Sequence, residues 1–93
     1  MKLKIIVREI KGSCPVYKEG QEFFIDAGYR LNSKITLCMH SLASLMPYYI
    51  GLSHGIAPKE LGLSVESDSA YVQCLDPCKY TRGGTVVFEI TTL

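Results

Sequence analysis

Hydrophobic and polar residues alternate near both ends of the chain, whereas the middle follows a different period. Over residues 2–10 nearly every second side chain is apolar, as in a strand that buries one face. Similar alternation returns over residues 70–75 and 85–91, and residues 21–26 are rich in aromatic and β-branched residues, which also favours a strand. We therefore expect four strands, the last two joined as a hairpin with a long loop.

The central part has the period of a helix. Apolar residues recur at spacings of three and four from Ile35 to Leu52, and Ser33 is a candidate N-cap. Pro47 interrupts this stripe, because proline lacks an amide hydrogen and its ring clashes with the carbonyl one turn back. We expect a kink, or a break with a second short helix that starts at Pro47 and ends near His54.

The order of these elements predicts the fold class. Residues 56–69 are mostly small and polar, so we expect a connecting segment with one helical turn framed by Pro58 and Gly62. The remaining order, β-β-α-β-β, is not that of a parallel sheet. It predicts one small α+β domain over residues 1–93, with an antiparallel sheet of about four strands packed on one face by a Pro-kinked or broken helix.

Composition excludes several classes of protein. With 47% hydrophobic and 20% charged residues, the chain is not intrinsically disordered. A net charge of +1 gives no strong field for nucleic acid or anionic membrane. No apolar stretch reaches the ~18 residues of a membrane span, and Arg8 and Glu9 interrupt the N-terminal run too early for a signal peptide. We expect a cytoplasmic protein without membrane or nucleic-acid partners. Tyr48, which we expect on the surface, and the outer strand edges allow a homo-oligomer.

The four cysteines, Cys14, Cys38, Cys74 and Cys78, carry the most distinctive chemistry. In a reducing compartment such thiols indicate a metal, redox chemistry or plain burial. Only Cys74 and Cys78 have the spacing of a zinc pair, and the close cysteine runs of redox motifs and iron–sulfur sites are missing. Periodicity places Cys38 and Cys74 on buried faces as small hydrophobes. Cys14 lies in the loop after Gly12 and Ser13, where we expect it to be exposed, so it is the best candidate for a reactive thiol.

Other side chains have two interpretations each. His40 lies two residues after Cys38, about 200° around a regular helix, so the two should not bind one metal ion. His54 is expected to lie at a helix C-terminus, near the last carbonyls. Met46 and Tyr49 are assigned to the core, but a kinked helix can also leave a cleft beside it, whose wall they would form.

Five segments of the chain are distinctive: CPVYKEG at 14–20, CMHSLASLMPYY at 38–49, KELG at 59–62, AYVQCLDP at 70–77 and GGTVVFEI at 83–90. Together they resemble a family of short, uncharacterised archaeal and bacterial proteins. The family pattern has glycine where this chain has Cys78. The resemblance therefore implies that any shared site would use the sulfurs of Cys14, Cys38 and Cys74 with another ligand.

Three functional hypotheses follow, and none includes an assigned catalytic residue. The first is a non-enzymatic binding or interaction domain whose ligand the sequence does not name. The second is a metal-binding domain that uses Cys14, Cys38 and Cys74, with zinc as the expected metal and an iron–sulfur cluster as the alternative. The third is a thiol-dependent enzyme or redox protein with Cys14 as nucleophile, which requires a base that the sequence does not identify.

Overall fold

In the computed structural model, which describes residues 1–65 and 68–93, the chain forms a five-stranded antiparallel sheet with short helices. Along the chain the elements are β1 (Leu3–Gly12), β2 (Glu22–Asp26), β3 (Arg30–Asn32), α1 (Met39–Leu45), α2 (Tyr49–Ser53), a 3₁₀ helix (Pro58–Leu61), β4 (Ala70–Gln73) and β5 (Gly84–Thr92). The strand order is β3-β2-β1-β5-β4. The α+β class is confirmed. Strand β3 was not predicted, because three residues are too few to show a period.

The central strand β1 shows how the sheet buries one face. Leu3, Ile5 and Val7 are buried, as the alternation predicted. A β-bulge follows Val7 and shifts the pairing with β5 by one residue, so that Ile10 lies opposite Val86 and packs against the core. The other buried apolar side chains include Phe23, Ile25, Leu45, Leu52, Ala70, Val72, Phe88 and Ile90. Strands and helices therefore share one hydrophobic core.

The helical region breaks where the sequence indicated, but it begins later than predicted. Helix α1 starts at Met39, so the predicted helix over residues 35–38 is wrong. The Ser33 hydroxyl accepts a hydrogen bond from the Ile35 amide (3.1 Å) and donates one to the Ile35 carbonyl (2.8 Å), which closes a local turn instead of capping a helix. Cys38 is extended and becomes the N-cap residue.

The break at Pro47 is confirmed. Helix α2 begins at Tyr49, two residues after the predicted start, and its C-cap is His54, as expected. None of the helices in residues 1–65 and 68–93 is long and apolar enough to cross a membrane. The connecting segment contains the predicted helical turn, the 3₁₀ helix, whose C-cap residue is Gly62 with a φ of 74°. Glu66 and Ser67 of this segment lie outside the described residues.

Candidate functional site

The loop that carries Cys14 is held against the start of β5. The Ser13 amide donates a hydrogen bond to the Gly83 carbonyl, at 3.1 Å. Gly84 lies so close to the loop that a Cβ atom on it would be 2.7 Å from the amide nitrogen of Cys14. Only glycine permits this approach of two backbones. The Gly83-Gly84 pair therefore fixes the position of Cys14.

Tyr17 ties the other side of this loop to helix α1. Its side chain is buried, and its ring packs edge-on against Phe88 with 5.5 Å between centroids. The Tyr17 hydroxyl accepts a hydrogen bond from the Cys38 amide (2.9 Å) and lies 2.7 Å from Oγ of Ser41. Ser41 Oγ donates its own proton to the Cys38 carbonyl, so Tyr17 is the donor to Ser41. One buried hydroxyl thus positions both Cys38 and the first turn of α1.

These contacts bring Cys14, Cys38 and Cys74 to the wall of one cavity of about 200 Å³, which we call the thiol cavity. Its other lining residues are Pro15, Val16, Tyr17, His40, Ser41, Asp76, Gly84 and Val86. Cys14 therefore turns back toward the other two cysteines and is half-buried. Cys78 is not part of this lining. It has a φ of 39°, a conformation that favours glycine, and its thiol lies 3.5 Å from the Gly83 carbonyl.

Cys74 is a structural residue in this arrangement. Its side chain is buried, as predicted. The sulfur accepts a hydrogen bond from the Val86 amide at 3.2 Å and lies 3.6 Å from the Gly84 carbonyl. The Cys74 amide in turn donates to the Val86 carbonyl at 2.9 Å, so backbone and thiol together extend the pairing of β4 with β5. Cys38 was also expected to be buried, but it is half-buried because it precedes the helix.

The thiol cavity brings potential ligands together without forming a metal centre. Among residues 1–65 and 68–93, no three His, Cys, Asp or Glu side chains are placed so that they could hold a metal ion together. His40 does lie at the same cavity as Cys38, although a regular helix would have separated them. The separation of about 200° does not apply, because Cys38 is extended and stands outside the helix. His40 is therefore a candidate base near Cys14 that the sequence did not reveal.

Asp76 organises the loop beside this cavity. One carboxylate oxygen accepts hydrogen bonds from the Thr81 hydroxyl and from the Cys78 amide, the latter at 2.9 Å. The Thr81 bond first, and the Cys78 bond second, hold the pKa of Asp76 below its ordinary value of 3.8, because both stabilise the charged carboxylate. Thr85 donates to the Asp76 carbonyl at 2.7 Å. The negative charge at the cavity is thus used to shape the turn before β5.

A second concave site, the apolar pocket, lies between the β2–β3 hairpin and the helices. Its volume is about 140 Å³, and it is lined by Ile25, Tyr29, Leu31, Leu42, Leu45, Met46 and Tyr49. Met46 is 59% exposed, so its assignment to the core is wrong, and its role in a pocket wall is confirmed. The cause is the break at Pro47, which ends α1 at Leu45 and leaves Met46 at the rim.

Several residues of these sites were missed by sequence reasoning. Tyr17 and Ser41 gave no signal, because their hydrogen bond joins residues 24 positions apart. Asp76 could have been found, since an aspartate before proline is typical of side-chain-capped turns. Tyr29 and Leu31 depend on β3, which is too short to be recognised from its pattern.

Comparisons of the chain with models of known protein families, with characterised proteins and with solved structures found no match. The family resemblance noted in the sequence therefore stays a prediction. Function has to be inferred from the chemistry of the thiol cavity and the apolar pocket.

Proposed function

We propose that the protein is a non-enzymatic binding domain whose recognition site is the apolar pocket. The observation that supports this proposal is the exposure of large apolar side chains around one concavity: Tyr29 is 74% exposed, Met46 59% and Leu31 47%. Single exposed apolar residues are ordinary, but several around one pocket are typical of binding surfaces. The four free thiols favour a reducing compartment such as the cytoplasm.

The size of the pocket defines what it accepts. A cavity of about 140 Å³ is close to the ~150 Å³ of an engineered apolar cavity that holds benzene. One phenyl or branched aliphatic group therefore fits, whereas a large cofactor does not. Only Tyr29 and Tyr49 bring polar side-chain atoms to the lining, so the ligand group should be uncharged.

The test uses N-acetyl-phenylalanine amide and N-acetyl-leucine amide, titrated into ¹⁵N-labelled protein and followed by NMR. We expect amide shifts to cluster at Tyr29, Leu31 and Tyr49, with N-acetyl-serine amide producing none. Met46→Glu should weaken binding, because it places a charge at the rim. Met39→Glu is the matched control, since Met39 is also an exposed methionine but does not line the pocket. Shifts scattered over the surface, or equal effects of the two variants, would contradict the proposal.

Metal binding at Cys14, Cys38 and Cys74 is the second candidate function. The three sulfur-bearing residues line one cavity, which favours it, although a metal ion would require side chains to move from their present positions. Elemental analysis of protein purified without chelator and without oxygen tests this candidate. One equivalent of zinc or iron, lost in a Cys14→Ser variant and retained in Cys78→Ser, is the expected result. Metal-free protein, or retention in both variants, would exclude this site.

Thiol chemistry at Cys14 stays a prediction of the sequence. Its sulfur accepts a hydrogen bond from the Tyr17 amide at 3.3 Å, and His40 lines the same cavity. The test measures the rate at which Cys14 reacts with an alkylating reagent and compares it with the rate of a free thiol. A rate no faster than that of the free thiol would contradict it.

A further inference from the structure

Charge is distributed unevenly along this chain. All nine acidic residues lie in segments 1–26 and 60–93, so residues 27–59 contain no aspartate or glutamate. That central segment contains β3, α1, α2 and their connections, and it supplies six of the seven residues around the apolar pocket. The basic residues of this segment, histidines included, are all exposed: Arg30, Lys34, His40, His54 and Lys59. The net charge of +1 therefore conceals a surface segment that carries positive charge alone.

Arg30 stands closest in the chain to the pocket, between Tyr29 and Leu31. Its register partner on β2 is Asp26, but that carboxylate interacts with Lys2, at 3.8 Å, and with the Asn32 amide group, at 3.3 Å. Among the residues that the structure describes, Arg30 takes part in no ion pair. Its charge is therefore available to a partner.

Strand β3 forms an edge of the sheet and has a neighbour, β2, on one side alone among the described strands. Leu31 lies opposite Ile25, so it faces the pocket. Arg30 is next in the strand and faces the opposite side of the sheet. A segment that added to this edge would alternate in the same way. One side chain of the added segment would enter the pocket. The residues before and after it in that segment would face the other side of the sheet, where they would lie beside Arg30.

From these observations we infer that the apolar pocket docks an extended acidic segment of a partner protein, added as a strand to β3. This inference rests on the proposed function and specifies its partner. An aromatic or leucine side chain of the segment fills the pocket, and a flanking glutamate or aspartate pairs with Arg30. A second copy of this chain fits less well, because its own β3 would bring another arginine and no carboxylate to the paired strand.

The experiment measures fluorescence anisotropy of a labelled peptide, Glu-Val-Glu-Phe-Glu-Val-Glu, with the full-length protein. Replacing every glutamate by glutamine keeps the apolar pattern and removes the charge, and replacing them by lysine reverses it. We expect the acidic peptide to bind about fivefold more tightly than the glutamine peptide, with the lysine peptide weaker still. Added salt should reduce this difference.

Two charge-reversal variants locate the interaction. Arg30→Glu should lower the affinity for the acidic peptide about fivefold and leave the affinity for the glutamine peptide unchanged. Lys11→Glu alters the net charge equally at an exposed position outside the acid-free segment and should change neither. Circular dichroism confirms that both variants are folded.

The outcomes separate this inference from the function on which it depends. Equal affinity for the acidic and glutamine peptides, with NMR shifts at Leu31 and Tyr49, would overturn the acidic partner and keep the pocket as a binding site. If neither the acidic peptide, nor the glutamine peptide, nor N-acetyl-phenylalanine amide binds, both proposals are overturned. Binding to anionic phosphatidylglycerol vesicles without binding to the peptide would overturn the inference in favour of a membrane. A dimer that Met46→Glu dissociates would overturn it in favour of self-association.

Discussion

The hydroxyl of Tyr17 lies 2.7 Å from Oγ of Ser41 and accepts the Cys38 amide at 2.9 Å, so one side chain from the Cys14 loop determines where helix α1 begins. Tyr17→Phe keeps the ring against Phe88 but leaves the half-buried Cys38 amide without its acceptor. We expect a loss of about 1–3 kcal/mol in the free energy of unfolding, measured in urea. Tyr29→Phe, at a ring that is 74% exposed, should change it by less than about 0.5 kcal/mol. Equal values for the two variants would contradict this role of Tyr17.

Two buried helical serines should respond differently to the same substitution. Ser41 Oγ bonds to Tyr17 and to the Cys38 carbonyl, whereas Ser53 Oγ has no hydrogen-bond partner among the described residues. Ser41→Ala should lower the free energy of unfolding by about 1–2 kcal/mol. Ser53→Ala should leave it unchanged or raise it by up to about 1 kcal/mol, because it removes an unsatisfied hydroxyl and favours the helix. Denaturant unfolding of both variants measures the change in the free energy of unfolding and its sign.

Cys74 should be the slowest of the four thiols to react. Its sulfur is buried and bonded to the backbone of β5, whereas Cys14, Cys38 and Cys78 are half-buried. A thiol reagent combined with mass spectrometry should label Cys74 only under unfolding conditions. Cys74→Ala should cost about 1–3 kcal/mol, because the Val86 amide loses its acceptor. Labelling of Cys74 at the rate of Cys14 in native protein would show that β4 and β5 separate locally.

Gly84→Ala tests the close approach that positions Cys14. A Cβ atom there would lie 2.7 Å from the Cys14 amide nitrogen and 2.8 Å from the Ser13 carbonyl carbon, so backbone has to move. We expect a loss of about 1–3 kcal/mol and faster labelling of Cys14. Gly51→Ala is the control, because its nearest neighbour is the flexible end of Ile56 at 3.3 Å and alanine favours helix α2. Unchanged labelling of Cys14 would argue against this constraint.

Asp76 should make stability depend on pH in the acid range. Its pKa in the folded state lies below the ordinary 3.8, so the charged carboxylate stabilises the fold at neutral pH. That contribution is lost as the pH falls below 3.8 through the folded-state pKa. Asp76→Asn should therefore be less stable than the parent protein at neutral pH, with a difference that narrows on acidification. Thr81→Ala, which removes the hydrogen bond that lowers the pKa of this carboxylate most, should show the same narrowing. Urea unfolding across this pH range provides the measurement.

The sequence predicted the elements whose side chains carry a period. Alternation located three strands, since burial of one sheet face requires every second residue to be apolar, and aromatic and β-branched residues located the strand at 21–26. Pro47 located the break between α1 and α2, because a missing amide hydrogen acts locally. The start of α1 could not be predicted in this way. It depends on the Tyr17 hydroxyl, which comes from 21 residues earlier in the chain to bind the Cys38 amide.

By itself, the sequence determined the α+β class, the buried position of Cys74 and the interruption at Pro47, all of which follow from local periodicity and backbone chemistry. Only the tertiary structure decided that Cys14 turns back toward Cys38 and Cys74, and that His40 joins them. It also created the apolar pocket, because Leu31 and Met46 come together only when the β2–β3 hairpin packs beside the helices. Such contacts join distant parts of the chain, and no local pattern encodes them.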